Sequence, residues 1–252
     1  MTSWCDKLAS VPSAGFRFDQ RFTPVERILE CWHTIVERHS VDGEPKFNIT
    51  KTDEFNLEIN SETGFKYGAD ATRCHVGFNH RLKVRNVSGA PPVVEMSSTA
   101  QQFTKLLPEV VNRLIDISML LPDIRTRKLH RIGITTTTPV DRADLPPGLG
   151  RFIEHIGRPW KGLSDGFSIQ LTAEVGETKT STDRCIHTLL KSERADEVMT
   201  VMFDFQRVLK EPKLTDRDDL SDLAQRAQKD ALSYFEALAE GSMFDVSTLE
   251  TT

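Results

Sequence analysis

Thr215-Asp216-Arg217-Asp218-Asp219-Leu220 opens the stretch TDRDDLSDLAQRAQKDALSYFEALAEG, which ends at Gly241 and whose reading decides the fold. Leu220, Leu223, Ala224, Ala227, Ala231, Tyr234, Phe235 and Leu238 recur at three- and four-residue intervals, the spacing of one helical face. Thr215, with Asp218 three residues on, supplies a cap. Asp216, Asp219 and Asp222 gather negative charge at the positive end of the helix dipole. Gly241 is a natural stop. A long helix with one apolar stripe needs an apolar surface to cover.

The segments upstream supply it. Val198 to Leu209 and Asp183 to Ser192 read as strands, and Phe167, Ile169, Leu171 and Ala173 alternate with polar partners. A further strand is expected from Arg127 to Val140, followed by a Pro/Gly loop over 144–150 and a short helix from Arg151 to Ile156. Another helix is expected between Gln101 and Leu121, with Phe103, Leu106, Leu107, Val110, Val111, Leu114 and Ile115 as its stripe. Pro108 predicts a separate or kinked first turn, and Pro122 an end.

From Pro45 to Ser98 the period is two. Phe47 and Ile49 alternate, as do Phe55, Leu57 and Ile59, with a turn at Glu62-Thr63-Gly64. Cys74, Val76, Phe78 and His80 fall on one side of the next run, which extends toward Leu82 and Val84. Val93 to Ser97 forms another strand after the break at 88–92. Connections this short predict antiparallel pairing. Near the N-terminus, Thr23-Pro24-Val25-Glu26 opens a helix expected to run to His39.

The fold class expected is therefore α+β: a mainly antiparallel, curved sheet packed on one side by helices, with the long C-terminal helix across its inner face. A helix-grip domain, with a cavity between helix and sheet, is one form of this arrangement. A single domain over 1–252 is expected, with 100–125 as the place where a subdivision would fall. The sequence shows no internal repeat.

At 252 residues, 38% hydrophobic and 27% charged, the chain has the composition of a globular protein. A net charge of -5 argues against broad nucleic-acid binding, which requires a dominant basic face. No apolar run is long enough to span a bilayer, and the first residues lack the order of a secretion signal. Cys5, Cys31, Cys74 and Cys185 are widely spaced, with no C-x-x-C pair. That is the pattern of a reduced, cytoplasmic protein without a disulfide framework.

The chemical signals are weaker than the structural ones. Cys185 and His187 are two residues apart and share a strand face, so with Cys74 or His80 from a neighbouring strand they could complete a tetrahedral metal site. Buried cysteines more often act as small apolar residues, and no cofactor is expected. Acid–base candidates are His130, His187 and Asp204, with His155 and Glu174 behind them. A solvent-facing Asp204 beside a cross-strand arginine is the preferred alternative. The turn over 146–150 brings glycines to a helix start at Arg151 without the lysine and hydroxyl of a P-loop. Arg158, Trp160 and Lys161 then combine two cations with an aromatic surface, able to stack on a base or grip an acidic partner. Trp160 as a core plug explains the same residues. Thr135 to Thr138 could line a polar pocket, although β-branched residues also simply favour strands. No G-x-S-x-G or H-E-x-x-H motif occurs.

Arg131-Ile132-Gly133 opening a strand, Asp204-Phe205-Gln206-Arg207 late in another, and Tyr234-Phe235-Glu236 in the final helix resemble an uncharacterised, sporadically distributed bacterial protein family with no settled activity. The resemblance spans about the last half of the chain. It departs after Gly133, where four threonines replace a mixed basic, aromatic and polar strand. It implies an α+β fold and an accessory or defence-associated gene, and it transfers no catalytic residue.

The function expected from all this is a non-catalytic cytosolic binding or sensor module, forming a homo-oligomer such as a homodimer, with Arg151, Arg158, Trp160 and Lys161 as the contact surface. The alternatives are an enzyme using His130, His187 and Asp204, with or without a metal, and a carrier of a small apolar ligand between helix and sheet.

Overall fold

The computed structural model describes residues 4–7, 11–19, 47–52, 56–70, 72–80, 82–85, 93–96, 101–121, 124–145, 147–157, 167–191 and 198–240. The expected helix from Thr23 to His39, Cys31, and the Arg158, Trp160 and Lys161 loop lie outside these residues.

A short helix α1 (Trp4–Lys7) precedes strand β1 (Val11–Phe18). Strands β2 (Phe47–Thr52), β3 (Asn56–Ser61), β4 (Phe65–Asp70) and β5 (Arg73–Phe78) form a meander. β6 (Leu82–Arg85) and β7 (Val93–Met96) pair as a separate ribbon. Helix α2 (Phe103–Ser118) leads to β8 (Lys128–Asp141) and α3 (Pro147–Gly157). A second meander, β9 (Phe167–Glu177), β10 (Ser181–Lys191) and β11 (Val198–Leu214), ends in α4 (Arg217–Glu240).

The main sheet is nine-stranded, in the order β2-β3-β4-β5-β1-β8-β11-β10-β9. It is curved and unclosed, and every pairing in it is antiparallel. This is the α+β architecture that the alternating runs imply. The order also reveals a repeat of topology that no sequence similarity betrays. β1 pairs with the last strand of the meander that follows it, and so does β8. Each meander is followed by a long helix, and the halves join at the β1/β8 ladder.

The alternating runs read from the sequence leave out the short α1, β4 and, at the centre of the sheet, β1. The alternation of β1 is clean, with Pro12, Ala14, Phe16 and Phe18 buried. Pro12, Ser13 and Gly15 between them are turn-type residues and disguise it. The other differences concern boundaries. α2 is one continuous helix, and Pro108 in its second turn merely lacks an N–H. α3 starts at Pro147, ahead of Arg151. β11 runs on to Leu214 past a register shift between Val208 and Lys213. The cap of α4 is Asp216, whose carboxylate accepts the Asp219 N–H at 2.8 Å, in place of Thr215. A carboxylate there also complements the helix dipole.

Alternation splits the sheet into two faces. Phe16, Val76, Ile132, Ile134, Phe203 and Phe205 are buried on one of them. α2 covers β1 and β5 with Phe103, Leu106, Leu107, Val110 and Leu114, while α4 lies over β8 and β11 and against α2 and α3. Ala224, Ala227 and Ala231 keep α4 close, and Phe235 stacks on Phe203 at 5.7 Å. One hydrophobic cluster runs through both halves. The opposite face of the sheet carries Arg17, Arg73, Arg131 and Asp204.

Candidate functional site

The β1/β8 ladder sets Gly15 directly opposite Gly133, and Arg17 directly opposite Arg131. Gly15-Phe16-Arg17 and Arg131-Ile132-Gly133 are reversed copies, so on antiparallel strands like meets like. The intervening Phe16 and Ile132 point into the core. Glycines and arginines therefore share the face away from the helices.

Extending the register outward gives three rows. The middle row runs Gly68, His75, Gly15, Gly133, Gln206 over β4, β5, β1, β8 and β11. On one side of it Arg73, Arg17 and Arg131 stand abreast on adjacent strands. On the other side lie Gly77, Ser13, Thr135 and Asp204. Missing side chains in the middle row leave a hollow of about 300 Å³ between the outer rows. A side chain at Gly133 would meet nothing within 4 Å, so the space above it is open. At Gly15 a Cβ would sit 3.2 Å from the Cys74 carbonyl oxygen. At Gly68 it would fall 2.2 Å from His75 Cε1, because the imidazole lies across that glycine.

The lining holds three cations against two carboxylates, Asp70 and Asp204. Arg73 Nε donates to Asp70 Oδ2 at 2.6 Å. Burial alone would raise the Asp70 carboxyl, but hydrogen bonds from Thr72 and Arg73 hold it below its ordinary value. Arg131 Nη1 donates to Gln206 Oε1 at 2.8 Å, and Gln206 Nε2 donates to Asp204 Oδ2 at 2.6 Å. Gln206 thus ties one arginine to the carboxylate at the far end. Burial, followed by repulsion from Arg17 and Arg73, lowers the Arg131 guanidinium, against the attraction of Asp204. Burial raises the Asp204 carboxyl against the Gln206 hydrogen bond and Arg131. His75 is lowered, first by burial, and is neutral near pH 7. Among the described residues the Arg17 side chain has no ion-pair or hydrogen-bond partner. Guanidinium groups can donate paired hydrogen bonds to phosphate-type and carboxylate anions.

The residues singled out in the sequence fare differently. Asp204 belongs to the hollow, and its neighbours there are Gln206 and Arg131. His187 is one residue beyond Ile186, the partner of Asp204, and so points to the opposite face, where it is buried and lowered by desolvation. His130 lies on β8 at the end away from Asp204. The acid–base trio of His130, His187 and Asp204 therefore does not converge. The proposed metal set fails for a similar reason. Cys74 on β5 and Cys185 on β10 are separated by β1, β8 and β11, which at strand spacing is about 19 Å. His80 follows β5 and packs edge-on to Phe78. No group of three ligating side chains gathers among the described residues. Both thiols are buried without a partner cysteine and pushed up to about 12, chiefly by burial. Arg151 is exposed on α3. Of the threonine run, Thr135 faces the hollow, while Thr136 and Thr138 are buried on the helix side.

Arg17, Arg73, His75, Gly15, Gly133 and Gln206 were missed. The reversed Gly-x-Arg and Arg-x-Gly pair was visible in the sequence, but only the register shows that the two meet.

No family model matches the chain, and no curated protein matches it. A solved structure from Novosphingobium aromaticivorans, described as a "putative thioesterase", is 11% identical over 80% of each chain with a TM-score of 0.18. Similarity at that level carries no argument about fold or function. No described helix is long and apolar enough to cross a membrane.

Proposed function

We propose that this chain is a non-catalytic binding or sensor module that takes a small anionic ligand in the hollow between the arginine row and Asp204. The observation that carries the reading is the placement of Arg17 directly between Arg73 and Arg131 on adjacent strands. Like charges directly opposite each other in a sheet destabilise it, and an anion among them reverses the sign of that contribution. The hollow above Gly133 supplies the room. A rigid sheet supplies the preorganisation that binding requires.

The test is calorimetric titration with inorganic phosphate at constant ionic strength. The wild-type chain is expected to bind, and to gain thermal stability as phosphate is added. Arg17→Ala and Arg131→Ala should each weaken binding about tenfold or more, the equivalent of about 1.4 kcal/mol. Absence of saturable phosphate binding, or binding indifferent to both substitutions, would refute the reading.

A further inference from the structure

Resting on that reading, we infer that the ligand joins its anionic group to a flat, hydrogen-bonding ring, as a nucleoside monophosphate does, and that the ring lies on the Gly15/Gly133 floor. The hollow is longer than a lone anion requires. Arg17 and Ser13 are four residues apart on one strand, and so are Arg131 and Thr135, a span of about 13 Å at strand rise. A phosphate held at the arginine row leaves the floor and the opposite wall empty. At about 300 Å³ the space is at the lower bound for a compact organic ligand.

The floor selects for shape. Two facing strand glycines expose their peptide planes with no Cβ above them, and above Gly133 there is nothing within 4 Å. A planar group can rest there in full contact, whereas a puckered or branched one would touch at a few points only. Guanidinium groups at the rim also stack on rings. The far wall selects for polarity. The Ser13 hydroxyl donates to the Val76 carbonyl at 3.2 Å, which leaves its lone pairs as acceptors. Thr135 contributes a second hydroxyl to the wall. Asp204 gives Oδ2 to Gln206, leaving Oδ1 free of that bond. A wall of acceptors suits the exocyclic amine or ring N–H of a base. Gln206, bonded to both Arg131 and Asp204, holds the two ends of the hollow in fixed relation.

The experiment compares inorganic phosphate, ribose 5-phosphate and the four common nucleoside monophosphates by calorimetry, on the wild-type chain and on Gly133→Val. The substitution fills open space in an extended strand and favours β structure, so thermal unfolding should show the variant to be no less stable. At least one nucleotide is expected to bind about tenfold tighter than ribose 5-phosphate. Gly133→Val should erase that advantage, so that every nucleotide binds the variant no tighter than ribose 5-phosphate does. Nucleotides no tighter than ribose 5-phosphate would overturn the inference and leave anion binding standing. A nucleotide advantage that survives Gly133→Val would overturn it as well. Failure of every ligand, phosphate included, would remove both readings together.

Discussion

Arg17 faces Arg131 directly across the β1/β8 ladder and Arg73 directly across the β1/β5 ladder. A sheet selected for stability alone would not set three cations abreast, since cross-strand pairs contribute up to about 1 kcal/mol in either direction. Arg17→Thr is therefore expected to stabilise the ligand-free chain by about 0.5 kcal/mol. Threonine relieves the repulsion and suits a strand. Added salt, which screens such repulsion, should stabilise the wild-type chain more than the variant. Urea denaturation at low and high sodium chloride reads both effects. An Arg17→Thr chain that is less stable at low salt would show that the row is not repulsive.

Acid should weaken the fold through two histidines, His75, which is half-buried, and His187, which is buried. His75 and His187 are both held below the ordinary imidazole value, first by burial. Around His75, Lys66 and Arg73 push the same way, while Glu58 and Asp70 oppose them. With the folded pKa below the unfolded one, the unfolded chain binds more protons in between, so stability falls as pH drops below about 6.5. Asp204 works in the opposite direction at lower pH, because its raised carboxyl is relieved by protonation. The denaturation midpoint should decline between pH 7.5 and pH 5.5, and less steeply in a His75→Gln, His187→Gln double variant. Equal slopes in the two chains would exclude these histidines as the cause.

Periodicity made the fold class readable because burial acts on every residue of an element. Leu220, Ala224, Ala227 and Phe235 repeat the same statement four times, and Val76 and Phe78 do so for β5. The candidate site is legible only through register. Gly15 and Gly133 are far apart in the chain, and either alone reads as a turn residue. Which strand adjoins β1 depends on long-range packing that no local pattern encodes, and it is that adjacency which turns two ordinary tripeptides into a floor and a wall. The same blindness produced the rejected metal set, since Cys74 and Cys185 share a face but not a neighbourhood.

The start of α2 is capped from a distance. Gln102 at its N-cap makes no side-chain bond. Asp6 of α1 instead accepts the Thr104 N–H at 2.9 Å and the Thr104 hydroxyl at 2.8 Å. The Trp4 N–H of the same short helix donates to Glu236 of α4 at 3.0 Å, so α1 links both long helices. Asp6→Ala should cost about 1 kcal/mol, as a lost cap does. Asp6→Asn, which keeps an acceptor but not the charge, should recover part of it. Thermal unfolding of both variants checks the order, and an Asp6→Ala chain as stable as wild type would show that water caps α2 equally well.

Arg207 fastens α4 to the second meander from the helix side of the sheet. Its Nε and Nη2 donate to the two carboxylate oxygens of Asp183 at 2.8 and 2.6 Å, and Nη2 also reaches Asp230 of α4 at 2.6 Å. The Asp183 hydrogen bonds hold the guanidinium firmly charged against its burial. Arg207 and Asp183 are buried, whereas the Asp230 side chain is 45% exposed. The consequences of substitution should differ accordingly. Arg207→Met strands a buried carboxylate and should cost about 3–5 kcal/mol, while Asp230→Asn, at a solvated partner, should cost less than about 1 kcal/mol. Adding Asp183→Val to Arg207→Met removes the stranded charge, so the double variant should regain most of the loss. A double variant no more stable than Arg207→Met alone would mean that the arginine contributes through packing against Phe205, which it approaches at 5.7 Å, and not through the ion pair.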